Sequence, residues 1–350
     1  MKILIIRFRQ MGDTLVATAM FNTLRKSFPE ATIDLVLNDS LAPLFRGHPA
    51  IDNIITFTPE ERHRPLTYIK KVWQTVHSCH YDAIIDMRST PNTLLFPLFS
   101  LRTRYRIGLR KPYSLCVLNH RVAPCRQDES MISHNLRLLN ALQNIAPLSV
   151  VNEPSLAISD EEKTDFRNYM QHMGIDFSRP VLLAGVTAKL AHKTWSPENM
   201  AEVIRRIIAD FPDCQIIFNF APGKEAENAH SMYRELGEPK NIFINIEART
   251  PRELAAMCAS TTVYFGNEGG TRHIAQAMGC PSWVICAPGI SKQKWLPQDE
   301  ELAQGLAVTD LLPAKQLDTM TAEQQYAAIS VEDVWERLRP FIARAIAGRD

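Results

Sequence analysis

The stretch Thr262–Gly279 reads as an apolar strand (Val263, Tyr264, Phe265), a glycine-rich turn (Gly266, Asn267, Glu268, Gly269, Gly270) and a helix over Thr271–Met278. That order suits phosphate chemistry, because glycines permit positive φ and close backbone approach, and free N–H groups at a helix start favour an anion. Arg272 and His273 fall in the first helical turn, where cations oppose the helix dipole; a bound anion would account for them. A plain strand-to-helix corner is the alternative reading of the same glycines.

A second candidate is Asp13, at the turn between the apolar run Lys2–Ile6 and a helix marked by Val16, Ala19, Met20, Leu24 and Phe28. The place beyond the carboxyl end of a parallel strand is where such sheets bind ligands, and it is also where an Asp caps a helix. Lys193 precedes a helix announced by Ser196 and Pro197; it reads as a cleft lysine or as a solvated surface one. Thr187 and Glu225 lie in the exit loops of two further apolar runs.

The elements that must hold these residues are short β-branched strands alternating with amphipathic helices, the rhythm of parallel α/β sheets. Strands are expected at 2–6, 33–37, 51–56 and 81–86, then at 180–184, 214–220, 242–244, 263–265 and 282–286. Helices are expected at 66–79, 134–142, 161–173, 197–210, 225–236, 250–258 and 331–347, with Gln298–Gln316 irregular. At 350 residues, with 45% hydrophobic and 22% charged, the chain fits two α/β domains. A domain boundary falls near the two prolines of Ala146–Pro154.

Charge is unevenly spread. Residues 1–150 hold 19 Lys+Arg against 11 Asp+Glu, and 151–350 hold 20 against 27. Between Asp86 and Asp128 there is no acidic residue, while Arg88, Arg102, Arg104, Arg106, Arg110, Lys111, Arg121 and Arg126 are all basic. An acidic ligand or surface is implied, or else a solvated basic face. Few aromatics interleave these arginines, which argues against a nucleic-acid partner read by base stacking. Seven cysteines without a C-x-x-C pair suggest a reducing compartment, and no apolar run reaches membrane-spanning length, so a cytoplasmic protein is expected. No acidic pair has convincing metal spacing, so no metal and no cofactor is expected.

Taken in order, Ile3-Leu4-Ile5-Ile6-Arg7 with Met11-Gly12-Asp13, Ile33-Asp34-Leu35, Pro49-Ala50-Ile51, Lys193-Thr194-Trp195-Ser196-Pro197-Glu198 and Gly266 through Ala275 with Gly279-Cys280-Pro281-Ser282 resemble one family. It is the ADP-heptose-dependent lipopolysaccharide heptosyltransferases of glycosyltransferase family 9, and the resemblance spans nearly the whole chain. The N-terminal third is most similar to the branch that adds the side-branch heptose of the inner core (heptosyltransferase III). The resemblance implies a GT-B fold: two Rossmann-like domains with parallel sheets facing across a cleft. These would be an acceptor domain at 1–155, a nucleotide-sugar domain at 156–328, and a C-terminal helix at 329–350 packing back on the first domain.

It further implies an inverting, metal-independent transfer of heptose from ADP-L-glycero-D-manno-heptose to the lipid A-Kdo-heptose glycolipid at the inner membrane surface, where a cytoplasmic protein would be peripheral on the inner membrane. Asp13 would be the general base and Lys193 the catalytic donor contact. Thr187, Glu225, Glu268, Gly269, Gly270, Thr271 and His273 would bind the donor, and Arg62, Arg64, Arg104, Arg106 and Arg121 the acidic acceptor. The chain departs from the family at Glu268-Gly269-Gly270, where an Asp followed by Thr or Ser is usual. A GT-B enzyme with another donor or acceptor, or a nucleotide-binding protein without turnover, are the other readings.

Overall fold

The computed structural model describes residues 1–126, 128–296 and 302–348. The chain divides into two compact units, Met1–Ala157 and Ile158–Asp350. Each is built on a six-stranded, wholly parallel sheet. The architecture is the α/β class expected, with two Rossmann-like units.

In the first unit the strands are β1 Lys2–Ile6, β2 Thr32–Asn38, β3 Asn53–Phe57, β4 Ala83–Asp86, β5 Tyr105–Leu109 and β6 His120–Val122, in spatial order β3-β2-β1-β4-β5-β6. Ile3, Leu4, Ile5 and Ile6 are fully buried, as a central parallel strand covered on both faces requires. One face carries the helix Pro65–His77, whose Tyr68, Val72 and Val76 join Leu4, Ile6, Val36, Phe57, Ile84 and Phe96 in a shared apolar cluster. Strands β5 and β6 run through the acid-free basic stretch, where the alternating arginines hid them.

The second unit repeats the plan with β7 Val181–Gly185, β8 Gln215–Phe218, β9 Ile242–Phe243, β10 Val263–Asn267, β11 Ser282–Ile285 and β12 Ala303–Leu306, in order β12-β11-β10-β7-β8-β9. Strand β12 lies inside the stretch expected to be irregular; residues 298–301 of that stretch lie outside the described residues. The helix Val331–Ala347 packs its apolar stripe, Val334, Leu338, Phe341 and Ile342, into the second unit's own core, against the helix Pro197–Asp210 and strands β10 and β11. Four residues at that spacing form one continuous face, so packing decides where the helix lies.

In each sheet the chain winds outward from a central strand, returns, and winds the other way. The reversal falls between β1 and β4 in the first unit and between β7 and β10 in the second. Ligands of open parallel sheets bind in the crevice at such a reversal, outside the carboxyl strand ends. No helix among the described residues is long and apolar enough to cross a membrane.

Candidate functional site

Asp13 sits at the reversal of the first sheet, in the opening turn of the helix Met11–Val16 that follows β1. It is not the helix cap: that position is Gln10, which makes no side-chain cap bond. The Asp13 carboxylate lies 3.4 Å from the Arg7 guanidinium and 3.7 Å from that of Arg9, with its side chain 15% exposed. Arg7, itself buried, also donates to the Asp13 carbonyl at 2.7 Å. Burial pushes the Arg7 guanidinium down to about 10, against the pull of Asp13. Arg88 donates to the Phe8 carbonyl at 2.8 Å, and Arg62 lies over the Phe8 ring at 4.7 Å. An acceptable proton acceptor is thus held at a sheet edge rich in guanidinium groups.

Beside it, Asp86 ends β4 in register with Ile6. Its Oδ1 accepts from the backbone N–H groups of Arg88 (2.9 Å) and Ser89 (2.8 Å), while burial raises its pKa to about 6. Of the five arginines assigned to an acceptor, the exposed Arg62 and Arg64 bracket the end of the helix Pro59–His63, and Arg62 reaches the Asp13 edge through Phe8. Arg104 and Arg106 stand at the amino end of β5, away from Asp13. Arg106 also spends its donors on the carbonyls of Val117, Leu101 and Thr103 at 2.6–2.8 Å, so it braces a loop. Arg121 lies exposed on β6, at the sheet's margin. Arg9 and Arg88, which accompany Asp13, were visible in the sequence only as part of a charge count.

At the reversal of the second sheet, β10 runs on to Asn267, and the helix Gly270–Ala277 starts with Gly269 as its cap residue. The glycines serve packing here more than positive φ. Gly269 is extended at φ −174°, and a Cβ on Gly266 would come within 2.5 Å of the Gly185 carbonyl oxygen on β7. Asn267, buried, donates to that same carbonyl at 3.1 Å and accepts from the Trp195 N–H at 2.8 Å. One amide therefore ties β10, β7 and the loop bearing Lys193 together. The Trp195 indole donates in turn to the Ile329 carbonyl at 3.1 Å.

Arg272 needs no bound anion to account for it, contrary to expectation. Fully buried, it lies 3.4 Å from Glu268 and donates to the Gln276 side chain at 2.7 Å and the Trp295 carbonyl at 3.1 Å. Its other contact is His273 Nε2 at 3.0 Å, a nitrogen that also lies 3.5 Å from the Glu268 carboxylate. Burial works against the charge of Glu268, but Arg272 and then His273 overcome it and hold its pKa down to about 2. The remaining donor candidates converge by hydrogen bonds: Thr187 donates to Glu225 at 3.2 Å, and Asn219, beyond β8, donates to the Thr271 hydroxyl at 2.9 Å. Lys193 is half-buried at the end of a short 3-10 turn. Asn219 carries no charge and lies in no motif, so the sequence did not single it out, and Asn267 was read there only as one member of the glycine-rich turn.

Among the described residues one trio has metal-ligand character: Cys125, Glu129 and His134, whose ligand atoms lie within 4.8 Å of one another. Arg137 already occupies this cluster, bonding Glu129 at 2.6 and 2.8 Å and approaching His134 Nδ1 at 3.1 Å. All seven cysteines are free thiols.

A sequence profile described as glycosyltransferase family 9 (heptosyltransferase) matches residues 69–324. Lipopolysaccharide heptosyltransferase 1 of Campylobacter coli is 20% identical over 291 residues, covering 81% of this chain and 83% of that one. Lipopolysaccharide heptosyltransferase 2 of Escherichia coli is 22% identical over 300 residues, covering 82% and 83%. Among solved structures, a family 9 glycosyltransferase from Veillonella parvula superposes with a TM-score of 0.82 at 16% identity, covering 98% of this chain and 97% of that one. Escherichia coli ADP-heptose lipopolysaccharide heptosyltransferase II follows at 0.72 and 20% identity, covering 98% and 99%. With the profile spanning most of the sequence, the chain belongs to glycosyltransferase family 9, the heptosyltransferase family.

Proposed function

We propose that this chain transfers heptose from ADP-L-glycero-D-manno-heptose to the inner core of lipopolysaccharide, with Asp13 as general base. The observation that carries the reading is the placement of Asp13 at the reversal point of the first sheet, among Arg7, Arg9 and Arg88. A sugar hydroxyl is a weak nucleophile at neutral pH, and a positioned carboxylate that takes its proton contributes roughly 10²–10⁴-fold. As the O–H bond breaks, the acceptor oxygen bonds to the anomeric carbon. The bond from that carbon to the diphosphate oxygen breaks on the opposite face, giving inversion, and its electron pair leaves with ADP.

The second unit supplies the donor side. Lys193, the helix start at Gly269 and Gly270, and His273 stabilise the charge that develops on the diphosphate, without a metal in this reading. Thr187, Glu225 and Thr271 bind the rest of the nucleotide sugar. Glu268 acts from behind, as a positioning residue: it is committed to Arg272 and His273 and orients the latter. Arg62, Arg64 and Arg88 meet the acidic acceptor, a lipid-linked core glycolipid at the membrane surface.

The test measures ADP release from a panel of ADP- and UDP-sugars with and without core glycolipid. The expected result is turnover with ADP-heptose and acceptor together, falling by 10²–10⁴ in Asp13→Asn with unchanged circular dichroism. Full activity in that variant removes Asp13 from the mechanism, and a preference for another sugar moves the donor assignment. Mass analysis of the core from a strain lacking the protein identifies the core position.

A further inference from the structure

The helix Pro65–His77 has two apolar stripes, and only one is used by the core. Beside the buried Tyr68, Val72 and Val76, the same helix presents Leu66 (83% exposed), Ile69 and Trp73 (52% exposed). Their spacing of three and four residues puts them on one side of the helix. The short helix Leu95–Leu98 packs directly against it and exposes Leu98, with Leu101 exposed just beyond. Single exposed leucines are ordinary, but an apolar stripe ending in a half-exposed tryptophan marks an interaction surface.

The charge around this surface is predominantly basic. Residues 62–127 hold twelve Lys+Arg and only two acidic residues, Asp82 and Asp86. Asp86 is buried, and Asp82 accepts from the Lys2 N–H at 2.8 Å. On the preceding helix Pro59–His63, Glu61 is paired with Lys71 at 2.6 Å and Glu60 is exposed, followed at once by Arg62, His63 and Arg64. Lys70 flanks the apolar stripe, and the exposed Arg102 and Arg104 follow Leu101. An amphipathic tryptophan beside aliphatic side chains, ringed by lysine and arginine, matches the interface of a bilayer bearing anionic headgroups.

We infer that Leu66, Ile69 and Trp73, with Leu98 and Leu101, form a shallow membrane-docking face that inserts into an anionic lipid surface and is held there by Lys70, Arg102 and Arg104. The choice of a bilayer as occupant rests on the lipid-linked acceptor proposed above. The test needs neither acceptor nor donor, so the two readings fail separately. The full chain is sedimented with vesicles of phosphatidylcholine mixed with phosphatidylglycerol, and with pure phosphatidylcholine vesicles.

Binding is expected only to the anionic vesicles, weakened by salt, with wild-type tryptophan emission quenched by brominated acyl chains and that quenching lost in Trp73→Phe. The double variant Leu66→Ser/Trp73→Ser should bind at least tenfold more weakly while melting like the wild type, since both side chains face solvent. Equal binding by the double variant, or equal binding to uncharged vesicles, overturns the inference. So does a concentration-dependent dimer in ultracentrifugation that Trp73→Ser abolishes while the wild type ignores vesicles, because the occupant is then a second copy.

Discussion

Asp86 and Glu268 stand at corresponding places in the two units. Each lies at the carboxyl end of the strand that begins its sheet's second half, β4 and β10, and each is buried. Their charges are nevertheless treated in opposite ways. Burial raises Asp86 to about 6, with two backbone N–H groups on one oxygen and its other oxygen unpartnered. Glu268, also opposed by burial, is held to about 2 because the next helical turn delivers Arg272 and His273 to it. Topology fixes where a carboxylate lies; the residues two to five positions later set how readily it ionises.

The strongest way to break this comparison is to neutralise each member. Glu268→Gln leaves Arg272 buried without its counter-ion, and urea unfolding should show a loss of about 3–5 kcal/mol in the second unit. Asp86→Asn removes a charge that burial disfavours, so at neutral pH it should raise the stability of the first unit, by up to about 3 kcal/mol. Equal effects of the two variants would mean that the Glu268 pairing contributes nothing beyond what Asp86 has.

Titration sharpens the same contrast. Glu268 has a depressed pKa, so its contribution is complete above the unfolded value near 4.5 and is lost as pH falls towards 2, by up to about 3 kcal/mol. Asp86 has a raised pKa, so the folded first unit keeps a proton that the unfolded chain releases. Its stability therefore declines as pH rises from about 4 to 6, by up to about 3 kcal/mol. Calorimetry across this range should show the two units shifting in opposite senses, and a common trend would contradict the assignment.

A smaller effect tests the scaffold. Asn267→Ala strands the Trp195 N–H and loosens the Gly185 carbonyl, an expected cost of about 1–3 kcal/mol by thermal melting, with KM for donor rising more than kcat falls. An unchanged KM would separate Asn267 from the loop that carries Lys193.

Much of the fold was legible because the signals were local. The helix Pro197–Asp210 follows its Ser196 cap and first-position proline, and Val331–Ala347 follows an uninterrupted apolar period. The first strand and the position of Asp13 beyond it could be read from four consecutive buried aliphatics. What was not legible depended on partners distant in sequence or on side-chain direction. Arg106 looks like a ligand-binding cation until its three carbonyl acceptors are known, and Gly266 looks like a turn glycine until Gly185 is seen against it. Arg272 pointed to an anion outside the protein, whereas its counter-ion lay four residues earlier.

The apolar stripe of Val331–Ala347 also bears on how the chain is made. The first unit has all its strands and its core side chains by Ala157, so it has everything needed to collapse while later residues are still being added. The second unit encloses Trp195 and the inner faces of β10 and β11 with Val334, Leu338, Phe341 and Ile342. Its core stays open until synthesis has passed residue 342, which leaves the loop bearing Lys193 to be assembled last.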